Sequence, residues 1–146
     1  MKIRINGVPP SLNRFNGRQN THEYRGLKDR WTRIAFWAAK EAGAGAVEAP
    51  DRAMVIITYH FPDRRRRDPD NYSGKFLLDG LTKAKAIVDD SFDHISLLHR
   101  QGEVSSKPYT EIEVYPDKSV ELRIWAHIER EDHNEVNGIE YEESPA

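Results

Sequence analysis

Met54-Val55-Ile56-Ile57-Thr58-Tyr59-His60-Phe61, closed by Pro62, is the stretch on which the fold turns. β-Branched and aromatic residues dominate it, and these suit a pleated, packed surface. Val55, Ile57, Tyr59 and Phe61 fall on one face of a strand, because strand side chains alternate. Met54 and Ile56 make the start of the other face apolar too, so an inner strand is expected.

Upstream, Lys2–Asn6 alternates polar and apolar, a short strand with Ile3 and Ile5 on one face, stopped by Pro9-Pro10-Ser11. Residues 11–22 read as a loop. From Tyr24 to Ala42, the residues Leu27, Trp31, Ile34, Ala35, Ala38 and Ala42 share one helical face, and Gly43 and Gly45 end the helix. Trp31 and Trp37 are expected in the core, and His60 as a packed or edge histidine and not a ligand.

Downstream, a second helix is expected from Asn71 to Lys85, burying Leu77, Leu78, Leu81 and Ala84. Its polar stripe is Lys75, Asp79 and Lys83, of which Lys75 and Asp79 can pair. Ile95–Val104, Thr110–Tyr115 and Val120–Ile128 read as strands. Strand, helix, strand, helix, strands predicts an α+β fold: a small mixed β-sheet with two main helices packed on one face.

The 146 residues make one domain, expected over 1–128. Residues 129–146 hold Glu129, Glu131, Asp132, Glu135, Glu140, Glu142 and Glu143 against Arg130 alone, an acidic tail expected to stay disordered. The net charge of −2 overall and −6 in that segment leave +4 on the rest, so polyanions can bind locally. Cysteine is absent, which excludes disulfides, thiolate metal sites and cysteine nucleophiles. No window approaches the ~20 apolar residues of a membrane span. Met1-Lys2-Ile3-Arg4 has no secretory core, so a cytoplasmic protein with no membrane partner is expected.

Between the inner strand and the second helix stands Arg64-Arg65-Arg66-Arg67-Asp68-Pro69-Asp70-Asn71. Pro69 disfavours the helical region for Asp68 and keeps the chain extended there. In an extended run Arg64, Arg66, Asp68 and Asp70 share a face, so the two carboxylates converge, and Asn71 is placed to cap the helix. The helix leads to Asp89-Asp90-Ser91, and a helix folding back on its sheet can return Asp90 beside Asp68 and Asp70. Three such carboxylates repel, by about 4 kcal/mol per pair at ~4 Å and an effective dielectric of 20. A proton, an arginine or a divalent cation offsets this, and an all-oxygen donor set suits Mg²⁺ or Mn²⁺. Such an ion flanked by Arg and Lys fits phosphodiester chemistry. The same run also fits an ordinary solvated surface whose charges neutralise one another.

The combined pattern resembles a known family. Phe61-Pro62-Asp63 followed by 64–71, then Lys75, Asp79-Gly80-Leu81-Thr82-Lys83-Ala84 and Val88-Asp89-Asp90, is similar to the RusA family of Holliday-junction resolvases. Pro9-Pro10-Ser11 with Asn13-Arg14 matches the family's N-terminal pattern. The resemblance runs from residue 3 to about 115 and is strongest over 61–91. It implies a Mg²⁺-dependent homodimeric endonuclease, with no organic cofactor, that nicks two strands of a four-way DNA junction in recombination and repair. Such proteins are often encoded by prophages. The metal carboxylates fall on Asp68, Asp70 and Asp90, and the essential lysine on Lys75. DNA contacts are expected from Arg14, Arg64, Arg65, Arg66, Arg67, Asn71, Lys83 and Lys85. One departure stands out: the family has four residues from the second acid to the lysine, where Asp70 to Lys75 is five, with Gly74 added. A module that binds junctions without cutting them is the alternative.

Overall fold

The computed structural model describes residues 1–15 and 21–118. The apolar stretch forms strand β2 (Ala53–His60). It is an inner strand, flanked by β3 (Ile95–Gln101) and β4 (Tyr109–Pro116), with β1 (Lys2–Asn6) outside β4. β2 pairs antiparallel with β4 and parallel with β3, and β1 pairs antiparallel with β4. The sheet is therefore mixed. A parallel pair cannot be joined by a tight turn, and helix α2 (Lys75–Ala84) lies in the crossover between β2 and β3.

Alternation decides which face is buried. Ile3, Ile5, Ala53, Val55, Ile57, Tyr59, Ile112 and Val114 point to one side and join Ala35 and Ala39 of helix α1 (Thr21–Glu41) and Leu77, Leu78, Leu81 and Ala84 of α2 in one core. Both helices thus cover one face, as expected. Lys2, Arg4, Glu111, Glu113 and Arg100 stand on the other face.

Three expectations are corrected. The buried line of α1 is Thr32, Ala35 and Ala39, whereas Ala42 is exposed. Trp31 is half-buried against the core, but Trp37 is 61% exposed. The reason is the close crossing of α1 and α2, which selects small residues. A Cβ at Gly80 would lie 2.4 Å from the Thr32 carbonyl oxygen and 2.7 Å from Ala35 Cβ. The Thr32 hydroxyl donates to the Phe76 carbonyl across this contact, and Lys28 Nζ of α1 meets Asp79 Oδ2 at 2.9 Å. Asp79 therefore pairs between helices.

The second helix also starts later than expected. Pro69–Asn71 forms a separate 3-10 turn. Gly74 then adopts φ 72°, which no continuing right-handed helix contains, and α2 begins at Lys75. Asn71 closes the 3-10 turn instead of capping α2. Residues 12–15, read as loop, form another 3-10 turn, and α1 starts at Thr21. β3 ends at Gln101, three residues short of the expected end, because its chain leaves the sheet at Gly102, which packs against the His60 ring. Val120–Ile128 and the acidic segment 129–146 lie outside the described residues.

Gly80→Ala tests the helix crossing. The added methyl meets backbone, which cannot swing away, so a loss of about 1–3 kcal/mol or more is expected. A thermal melt should show Tm lowered by roughly 5 °C or more.

Candidate active site

Parallel pairing brings the C-terminal ends of β2 and β3 side by side, and the segment from Phe61 to Gly74 lies over that end. Its shape follows from its own charges. Asp63 accepts the Arg65 backbone N–H at 3.0 Å and the Arg67 guanidinium at 2.8 Å. These two donors, the backbone one first, hold the Asp63 carboxyl below its ordinary range. Arg67 also donates to the Asp63 and Arg65 carbonyls and lies 4.1 Å over the Phe61 ring. It is a clamp on its own loop, only 18% exposed at its side chain.

The other arginines point outward. Arg64, Arg65 and Arg66 are exposed. Arg66 contacts Asp68 Oδ1 at 3.3 Å, in keeping with the shared face of an extended run. Asp68 is extended, with φ −96° and ψ 130°, as the following proline demands. Its side chain is 55% exposed, and Asp70, on the 3-10 turn, is exposed as well. Lys75 is exposed at the first position of α2. Because Gly74 starts the helix afresh, the added residue does not rotate Lys75 around a continuous helix.

Asp90 lies elsewhere. α2 runs back along the strands, so the chain reaches Asp90 at the N-terminal end of β3, in a hollow lined by Arg52, Leu78, Phe92 and Ile95. Its neighbour Asp89 is held below the ordinary carboxyl range, first by the Ser91 hydroxyl. Among the described residues, no three His, Asp or Glu side chains gather as a metal cluster. The expected meeting of Asp68, Asp70 and Asp90 is therefore not found within a single chain.

Of the expected DNA-contacting residues, Lys83 is exposed on the last turn of α2 and Lys85 ends that helix at φ 64°. Arg14 is exposed and paired with Glu23. Asn71 is half-buried.

Sequence reasoning missed a hollow of about 60 Å³ beside Asp68, lined by Tyr59, Phe61, Tyr72, His99 and Gln101. The signal was present: Tyr59 and Phe61 alternate onto one strand face, and Tyr72 follows the acids by two residues. His99 depends on the β2–β3 register, where it faces Ile57. Burial holds its pKa below 6.5, against a smaller opposing effect from Ser73. Its neutral form is thus favoured on folding.

The crossover junction endodeoxyribonuclease RusA of Shigella sonnei (strain Ss046) is 39% identical over 88 residues, 57% of this chain and 68% of that protein. The protein of the same name from Escherichia coli (strain K12) is 38% identical over 88 residues, and that of Enterobacteria phage 82 is 36% identical over 88. No protein-family model matches the chain.

The His99 shift sets a pH dependence. The unfolded chain binds a proton below about pH 6.5 that the folded chain resists, so stability is full above that pH and falls as pH drops toward the depressed folded value. Denaturant unfolding at stepped pH should show this loss, and His99→Gln should reduce the slope.

Proposed function

The chain belongs to the RusA family of crossover junction endodeoxyribonucleases, and from that premise we propose that it resolves four-way DNA junctions by paired nicks, with Mg²⁺ or Mn²⁺ at its site. The observation that carries this reading is the loop between β2 and α2. It presents two exposed carboxylates, Asp68 and Asp70, between three outward arginines and the exposed Lys75.

The donor set fits a hard ion. Both acids are oxygen donors open to solvent, and the Arg66 contact on Asp68 is itself largely exposed and easily exchanged. Mg²⁺ typically takes one or two carboxylates and completes its sphere with water and substrate phosphates, so Asp68 and Asp70 suffice as protein ligands. When bound, such an ion polarises a phosphoryl oxygen and makes water a better nucleophile. The chain supplies the rest. Arg64, Arg65 and Arg66 hold the DNA backbone, with further backbone contacts from Arg14, Asn71, Lys83 and Lys85. Arg67 keeps the loop in shape. Lys75 neutralises charge that builds on the phosphate and the leaving oxygen.

Paired nicks require two sites, hence a homodimer with two-fold symmetry. β3 is an edge of the described sheet and exposes Leu97 and Leu98, with Phe92 96% exposed just before it. An apolar, open edge of this kind favours pairing with a second copy. In that dimer Asp90 can join a site as a third carboxylate from the other copy. The second reading, a junction-binding module without chemistry, draws on the same lack of a three-acid group among the described residues.

The test is a synthetic four-way junction with Mg²⁺. Symmetric nicks are expected from the wild type. Asp70→Asn should bind the junction within a few-fold of wild type yet fail to cut; cutting at the wild-type rate would remove Asp70 from the metal site. Lys75→Ala should slow cutting by about 10²–10³, the cost of losing one charge-stabilising donor, with little change in binding.

A further inference from the structure

We propose that the hollow beside Asp68 receives one unstacked nucleobase of the strand whose phosphate lies at Asp68 and Asp70; this rests on reading that loop as the DNA-cutting site. The walls are aromatic. Tyr59 and Tyr72 have centroids 5.4 Å apart, Phe61 and Tyr72 5.3 Å, and the Tyr59 and His99 rings lie 4° from parallel at 5.9 Å. The arrangement is held in place. The Tyr59 hydroxyl bonds His99 Nδ1 at 3.1 Å and reaches the Tyr72 carbonyl at 3.4 Å. Tyr59 and Phe61 form the floor, fixed in the core at 3% and 6% exposure, and the half-buried Tyr72 and His99 are the rings left for a base to meet.

Size and chemistry select the occupant. A volume of about 60 Å³ holds roughly four to six waters at 10–15 Å³ each and is under half the ~150 Å³ that encloses a benzene ring, so the hollow is a shallow seat against which one base lies, not a cavity that encloses a base or a stacked strand. Every base offers a face that stacks on aromatic side chains. The polar groups at the rim, the Gln101 amide and the Asp68 carboxylate, match the donors and acceptors of a base edge. Arg67 already covers the Phe61 ring, which disfavours a cationic guest. The hollow borders Asp68, so a nucleotide whose phosphate is held there has its base within reach.

The experiment measures junction affinity without divalent metal, so that no cutting intervenes. An abasic site is stepped through the positions around the crossover, one junction at a time. In the wild type, one position on each cut strand should lose about ten-fold in affinity, the factor of a single base–aromatic stack. Two variants are compared: Tyr72→Ala, which removes a wall, and Gln101→Trp, which fills the mouth from the exposed edge strand and spares the core. In both, the same abasic site should cost less than about two-fold. Equal losses in wild type and in Gln101→Trp at every position would overturn the proposal. The two readings fail separately: cutting of an intact junction with no position-specific abasic effect sinks the base pocket alone, whereas the abasic effect without cutting under Mg²⁺ supports the pocket and sinks the nuclease reading.

Discussion

The parallel pairing of β2 with β3 is the constraint from which the rest of the structure follows. Two strands that run the same way must be joined by a return element, and α2 is that element. Its presence forces the chain to leave β2 at one end of the sheet and to re-enter β3 at the other. Asp68, Asp70 and the aromatic hollow therefore lie where the strands end, and Asp90 where β3 begins. The common tendency of open α/β sheets to bind ligands beyond the carboxyl ends of parallel strands applies to the first group. The small residues at the α1–α2 crossing, Gly80, Thr32 and Ala35, let the return helix lie close under the first helix.

Much of this was legible in the residues. β2 announced itself through alternation on one face and apolar character on both, and the four core positions of α2 are all buried. The charged loop was legible in part: Pro69 holds Asp68 extended and Arg66 shares its face, whereas Arg65, expected to side with Arg67, stands out in water, because Asp63 and the Phe61 ring draw in Arg67 alone. What escaped were properties of tertiary contact. The stripe on α1 rotated because α1 packs chiefly on a glycine-bearing helix. The start of α2 moved because Gly74 takes a left-handed conformation in a place where its Cβ would meet Ile57 Cδ1 at 2.8 Å. The path of the crossover, and with it the position of Asp90, depends on strand direction, which local pattern does not encode.

The loop also shows how one run of like charges divides its labour. Arg67 is spent on Asp63 and on the Phe61 ring, where burial makes its contacts count. Arg64, Arg65 and Arg66 remain in water, where ion pairs are worth little and exchange readily for a phosphate. A rigid base under a displaceable set of cations suits a site that must accept and release a polyanion. It also leaves Asp68 and Asp70 as open, hard oxygen donors.

The most direct measurement of the central claim replaces one non-bridging oxygen of the cut phosphate with sulfur. Mg²⁺ strongly prefers oxygen, and Mn²⁺ tolerates sulfur better. If the two carboxylates act through a metal that touches this phosphate, cutting of one sulfur isomer should fall steeply in Mg²⁺ and recover in Mn²⁺. Equal rates for the oxygen and sulfur junctions in Mg²⁺, or no cutting of the oxygen junction with either ion, would contradict the account.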